Sequence, residues 1–250
     1  MHRDRADHDE VAAALMAIGE ARRGAAIQLD RGSALQHLGI GFPALRARVK
    51  AGFSFSTLPP DQVLQIWDTL WRMSPYGDVL FAALAYIEPI VQRGKTPPAG
   101  VWPLVRTWAE RVDNWCHSDM LGSIYSRLLE ADFDAVYPQL QAWNAADQSE
   151  WHRRLSLTSL IHYSGKNAVF LPLEQTLPLI ENCVADRRKY VELAVGWVLR
   201  ELMRAHPAEV QRFIRQHAAG LGSRAFNRAI EKTAPALRQR LSAARKTGAA

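Results

Sequence analysis

Helix-pair periodicity constrains this chain more than any other feature. First helices begin near Asp61, Pro98, Phe133, Glu174 and Pro207, at intervals of about 33 to 41 residues. Each is followed by a second, more apolar segment: YGDVLFAALAYI, SDMLGSIYSRLL, EWHRRLSLTSLI, YVELAVGWVLREL and SRAFNRAIEKTA. Two helices of this length cannot bury their apolar faces alone, so successive pairs must stack and share one continuous core. No stretch shows the period-two alternation of strands between turn signals. Upstream of the repeats, Asp9 to Gln28 reads as one Ala-rich helix ended by Gly32 and Ser33. Leu38 to Pro43 reads as a loop whose proline opens the helix ALRARVKAG.

The pattern predicts an all-α fold, a HEAT-like repeat solenoid of stacked antiparallel helix pairs with a concave basic groove. It predicts one domain over 1–250: N-terminal cap helices in 1–57, helix-pair repeats in 58–232, and a basic C-terminal helix or tail in 233–250. The net charge of +6 suits a polyanionic partner. The excess is concentrated late, with eleven Lys and Arg between Arg200 and Lys246 against Glu201, Glu209 and Glu231. Cys116 and Cys183 are the only cysteines, which excludes a disulfide framework and suits a reducing compartment. No metal and no cofactor is expected, because no His/Cys cluster has ligand spacing. The first ten residues are charged, without an apolar signal core, and no run is long enough to span a bilayer. The expectation is a cytoplasmic, nucleoid-associated monomer with no membrane contact.

The unusual polar residues fall on the second helices. Asp113 and Asn114 are turn and cap residues, so a helix starts near Trp115 and carries Trp115 and Asp119 on its first turn. Alone, that pair reads first as a core Trp beside an N-terminal-turn Asp. The third pair contributes Trp151, Arg153 and Arg154, the fourth Trp197 and Arg200, and the fifth Arg224 and Arg228. Arg153 and Arg154 alone would read as a solvated helix end, and Trp197 as a core residue beside a close-packing Gly196. Stacked repeats bring equivalent positions side by side. A basic groove with aromatic surfaces suits phosphates and bases, and a lone acid among those cations needs a chemical reason.

This constellation resembles the AlkD-like family of HEAT-repeat DNA alkylation repair glycosylases. The resemblance runs from about His37 to about Leu241. Its pieces are Leu38-Gly39-Ile40 with Pro43 and Leu45-Arg46, Trp115 with Asp119, Trp151 with Arg154, and Gly196-Trp197-Val198-Leu199-Arg200-Glu201. The resemblance implies a DNA glycosylase that hydrolyses the N-glycosidic bond of cationic N3- or N7-alkylated purines in duplex DNA, without full base flipping. It makes Asp119 the catalytic carboxylate and Trp115 and Trp197 the aromatic walls beside the lesion. It makes Arg154 and Arg200 backbone contacts, with Arg153, Tyr190, Lys166, Arg224 and Arg228 as further DNA-binding candidates. Leu193 stands where family members commonly carry Lys, so one groove charge is absent. Two other readings share parts of the pattern: a non-catalytic protein that binds damaged or distorted duplex, and a HEAT scaffold for a protein partner.

Overall fold

A computed structural model describes residues 2–92, 94–162, 168–169 and 171–247. The chain divides into two compact units, Met1–Ala131 and Asp132–Ala250.

The first unit comprises α1 (His2–Met16), α2 (Ala21–Arg31), α3 (Phe42–Ala51), α4 (Pro60–Met73), α5 (Gly77–Ile87), α6 (Val101–Val105) and α7 (Trp115–Ala131). The expected Asp9-to-Gln28 helix is thus two helices. The break has a local cause: Glu20 N–H donates to the Leu38 carbonyl, and a Cβ on Gly19 would lie 2.6 Å from that same oxygen. The chain must leave the helix to lie against the 33–41 loop. Gly32 then ends α2 in the left-handed region at φ 59°, its N–H returned to Gln28 and Leu29. The helix expected at Pro98 starts at Val101 and tightens into a 3-10 helix over Arg106–Arg111. Pro103, which has no N–H to give, sits inside that short helix.

α5 is the centre of this unit, with ten of its eleven residues buried. It packs between α3 and α7 and against α4, so consecutive second helices lie side by side as the repeat pattern requires. α4 turns Val63, Leu64, Trp67, Leu70 and Trp71 inward, one stripe at helical spacing. Trp71 stacks on Trp108 at 4.6 Å, and Trp108 Nε1 donates to Asp68 at 2.8 Å.

The second unit comprises α8 (Phe133–Trp143), α9 (Glu150–Thr158), α10 (Leu173–Cys183), α11 (Lys189–Ala205), α12 (Pro207–Gln216), α13 (Ser223–Ile230) and α14 (Pro235–Thr247). Five of the expected helix pairs are therefore present across the two units. α11 is flanked by α9 and α13, again second helix against second helix. Gly196 makes the tight α11–α13 approach possible, since a Cβ there would fall 2.5 Å from the Ala225 carbonyl oxygen. The expectation of no strands needs one amendment. Ile161–His162 pairs antiparallel with Ala168–Val169, in the register Ile161 to Val169 and His162 to Ala168. At two residues each, these strands are too short to have shown alternation. No helix among the described residues is long and apolar enough to cross a membrane.

Candidate functional site

In the first unit the site is built on the start of α7. Asn114 caps the helix, its Oδ1 accepting from the Cys116 and His117 backbone N–H groups at 3.1 Å each. Trp115 is therefore the first helical residue and stays half-buried. Asp119 follows one full turn later, also half-buried, in the second turn and not the first. Residues four apart share one helix face, so the pair is presented together.

What fixes α7 here is a set of buried polar contacts. His117 is fully buried, its Nε2 donating to the Gly77 carbonyl at 3.0 Å and its Nδ1 accepting from Asn114 at 2.7 Å. Burial lowers its pKa, and one donating and one accepting nitrogen is the pattern of a neutral ring. His117 is a structural residue, and no group of His, Cys, Asp and Glu among the described residues could hold a metal ion. Asp113 Oδ2 accepts from Ser33 Oγ at 2.8 Å, Ala34 N–H at 2.8 Å and Leu35 N–H at 3.3 Å. Burial works to raise the Asp113 pKa, and the hydrogen bonds donated to it by Ser33 and Asn114 more than offset that. The carboxyl is held far below the usual carboxylate range. In the same way Asp78 accepts from the Leu38 and Ile40 N–H groups at 2.7 and 3.3 Å. This explains the Leu38-Gly39-Ile40 motif: it is a loop clamped by an acid of α5. Gly39 adopts φ 81° and fits where a Cβ would meet the Glu20 carbonyl oxygen at 2.3 Å.

Cys116 lies buried between the two candidate residues. Burial pushes its thiol up to about 11, with Arg31 drawing it down and Asp119 adding to the rise. It is an inert thiol, not a nucleophile. Arg31 is a residue the sequence pattern did not single out. Its guanidinium lies 6.0 Å from the Trp115 ring and 5.1 Å from the Phe81 ring. Nothing in the sequence signalled it, because the link depends on Asp113 drawing the end of α2 to α7 across some eighty residues. A cavity of about 1080 Å³ also opens in this unit, lined by residues such as Val49, Leu64, Tyr86, Ile90 and Val101, but neither Trp115 nor Asp119 borders it.

In the second unit Trp151 of α9 stacks on Tyr190 of α11 at 4.9 Å. Arg154 donates to the Tyr190 carbonyl at 2.8 Å and lies 5.9 Å from its ring, while the Lys189 ammonium lies 4.8 Å from that ring. Trp151, Arg154 and Tyr190, singled out in the sequence, are thus one cluster, and exposed Lys189 is an addition to it. Arg153 and Arg154 are each 4% exposed, so the solvated helix end is overturned. Arg153 pairs with buried Asp186 at 2.7 Å. Arg200, also buried, pairs with Glu201 at 2.6 Å and with Glu231, to which Arg228 is paired at 3.0 Å. Arg224 pairs with buried Glu192 at 2.8 Å. Trp197 stands half-buried on α11 next to Gly196. Lys166 lies outside the described residues.

Comparison with known proteins adds the following. Residues 11–233 match the family described as DNA alkylation repair enzyme. A search of curated proteins returns no match. Among solved structures, a protein of Enterococcus faecalis, described as a predicted DNA alkylation repair enzyme, is similar at TM-score 0.71 and 15% identity, over 87% of this chain and 97% of that one. The Pseudomonas fluorescens alkylpurine DNA glycosylase AlkC, bound to DNA containing an abasic site analogue, is similar at TM-score 0.56 and 16% identity, over 94% of this chain and 65% of that one. At these identities the two structures speak for the fold.

Proposed function

The chain belongs to the DNA alkylation repair enzyme family, and from that membership we propose that it is a monofunctional DNA glycosylase releasing cationic N3- or N7-alkylated purines from duplex DNA. The observation that carries the proposal is the presentation of Asp119 with Trp115 on one face of α7, whose first turn is held by Asn114 and Asp113. The similarity in fold to a glycosylase that binds abasic-site DNA supports it.

An alkylated purine already carries positive charge and leaves readily. As the glycosidic bond breaks, positive charge grows on the deoxyribose, as in other glycosyl transfers. In this reading the Asp119 carboxylate stabilises that charge and orients or deprotonates the attacking water. Trp115 and Trp197 offer electron-rich faces that favour a cationic base over a neutral one. Tyr190, Arg154, Arg224 and Arg228 bind the DNA backbone. Arg153 and Arg200 were expected there too, but each would first have to leave a carboxylate partner. Arg224 and Arg228 are paired with Glu192 and Glu231 as well, but their side chains reach solvent, so phosphate contact is better assigned to Arg224, exposed on α13, and to Arg228, half-buried on the same helix. The lesion stays largely stacked, and the protein acts as a monomer.

Base release from a duplex oligonucleotide carrying one 7-methylguanine tests this, with wild type and Asp119→Asn side by side. The expected result is release by wild type and a loss of at least about 100-fold in the variant, the usual scale for a positioned acid–base group. Equal rates for the two proteins would remove Asp119 from the chemistry. Release by neither protein, from 7-methylguanine and from bulkier N3 and N7 adducts alike, would leave a damage-binding protein.

A further inference from the structure

Arg31 differs from four of the arginines expected to bind DNA in how its charge is held. Arg153, Arg200, Arg224 and Arg228 each lie within ion-pair distance of a carboxylate. Arg31 is half-buried, yet it has no carboxylate or hydrogen-bond acceptor as a partner among the described residues. What holds it is aromatic: the ring of Phe81 at 5.1 Å and the ring of Trp115 at 6.0 Å. A guanidinium held by aromatic contacts, with no acceptor engaging its N–H groups, keeps those donors for a ligand, and their fork matches the oxygens of a phosphate two at a time.

The placement is also rigid. Gly32 ends α2 directly after Arg31, and the next three residues, Ser33, Ala34 and Leu35, all donate to Asp113, two positions before Trp115. The arginine is thus carried to the start of α7 by a loop clamped on the same helix. Its field reaches the site, since it draws on the Cys116 thiol from which Asp119 acts in the opposite sense.

We propose that Arg31 is a phosphate-binding residue, which grips the backbone of the lesion strand beside Trp115 and sets the register of the damaged nucleotide against Asp119. It is a positioning residue, and the assignment of that register rests on the glycosylase reading above. A fixed cation here also supplies phosphate attraction within the first unit, whereas Arg153, Arg200, Arg224 and Arg228 of the second unit each lie within ion-pair distance of an acid.

The test uses the full chain with Arg31→Ala, Arg31→Lys and wild type, on duplex DNA with a single abasic-site analogue and on duplex with a single 7-methylguanine. Affinity is measured across a salt series, and base release under single turnover with enzyme in excess. One phosphate contact contributes about one unit to the slope of log affinity against log salt. Arg31→Ala should lower that slope by about one, and Arg31→Lys should keep it, because the charge remains. Arg31→Lys should still release base more slowly than wild type, since an ammonium cannot reach two oxygens at once. A salt slope unchanged in Arg31→Ala, with wild-type thermal stability, overturns the proposal even if wild type releases base. A reduced slope in a protein that releases no base keeps the phosphate contact and removes the glycosylase reading. Arg31→Lys with the full wild-type rate would overturn the positioning role.

Discussion

Replacing Asp113 by Asn should loosen the first unit at the place where α2, the 33–41 loop and α7 are tied together. Three donors meet one carboxylate oxygen: Ser33 Oγ, Ala34 N–H and Leu35 N–H. A hydrogen bond to a charged group contributes about 1.5 to 3 kcal/mol when well buried, and less when water can reach it. Asp113 keeps 26% of its side chain exposed and Ala34 lies at the surface, so about 1 kcal/mol per contact is the fair scale. Asn retains one acceptor oxygen but turns an NH2 group toward Asn114 and His117, and the expected loss is about 2 to 3 kcal/mol at pH 7. The sign of the pH dependence follows from the depressed folded pKa. A carboxyl whose folded pKa is lowered contributes stability that is complete above its unfolded value, near 3.8, and is lost as pH falls through the folded one. The difference between wild type and Asp113→Asn should therefore be constant from pH 7 to about 5 and shrink only below about 4. Urea unfolding at a series of pH values reads this directly. A variant within about 0.5 kcal/mol of wild type at pH 7, or a gap that persists undiminished into strong acid, would refute the reasoning.

Further outcomes follow from other contacts. Gly196→Ala should push α11 from α13, because the new Cβ would meet the Ala225 carbonyl oxygen at 2.5 Å, and overpacking of this kind costs about 1 to 3 kcal/mol in chemical denaturation. Asp186→Asn should destabilise the second unit by about 3 kcal/mol, since it strips buried Arg153 of its counter-charge while both groups stay desolvated. Cys116 should resist iodoacetamide at pH 8 in the native state, its thiol standing near 11, and Cys116→Ala should release 7-methylguanine at close to the wild-type rate. Rapid alkylation of native Cys116 would show the start of α7 to be open to solvent.

How much of this was legible in the sequence depended on the range of the interaction concerned. The helix pairs were readable because each is a local pattern, an apolar stripe such as Val63, Trp67 and Leu70 between a proline start and a glycine or polar stop. The α7 boundary was readable for the same reason, since Asn114 satisfies N–H groups two and three residues away. Charge state was not readable. Arg153 and Arg154 looked like a wet helix end, and nothing within their own helix announced that Asp186, thirty-three residues on, would neutralise the first. Arg31 is the converse case. Its own neighbourhood, a basic helix end followed by Gly32, is unremarkable as sequence, and its significance comes from Asp113 holding the following loop. A sequence shows which residues carry charge, whereas the tertiary pairing decides which charges are already spent on the fold. For a protein proposed to recognise a polyanion, that division is the functional question, and on it the exposed Lys189 and the carboxylate-free Arg31 stand apart from the buried Arg153 and Arg200.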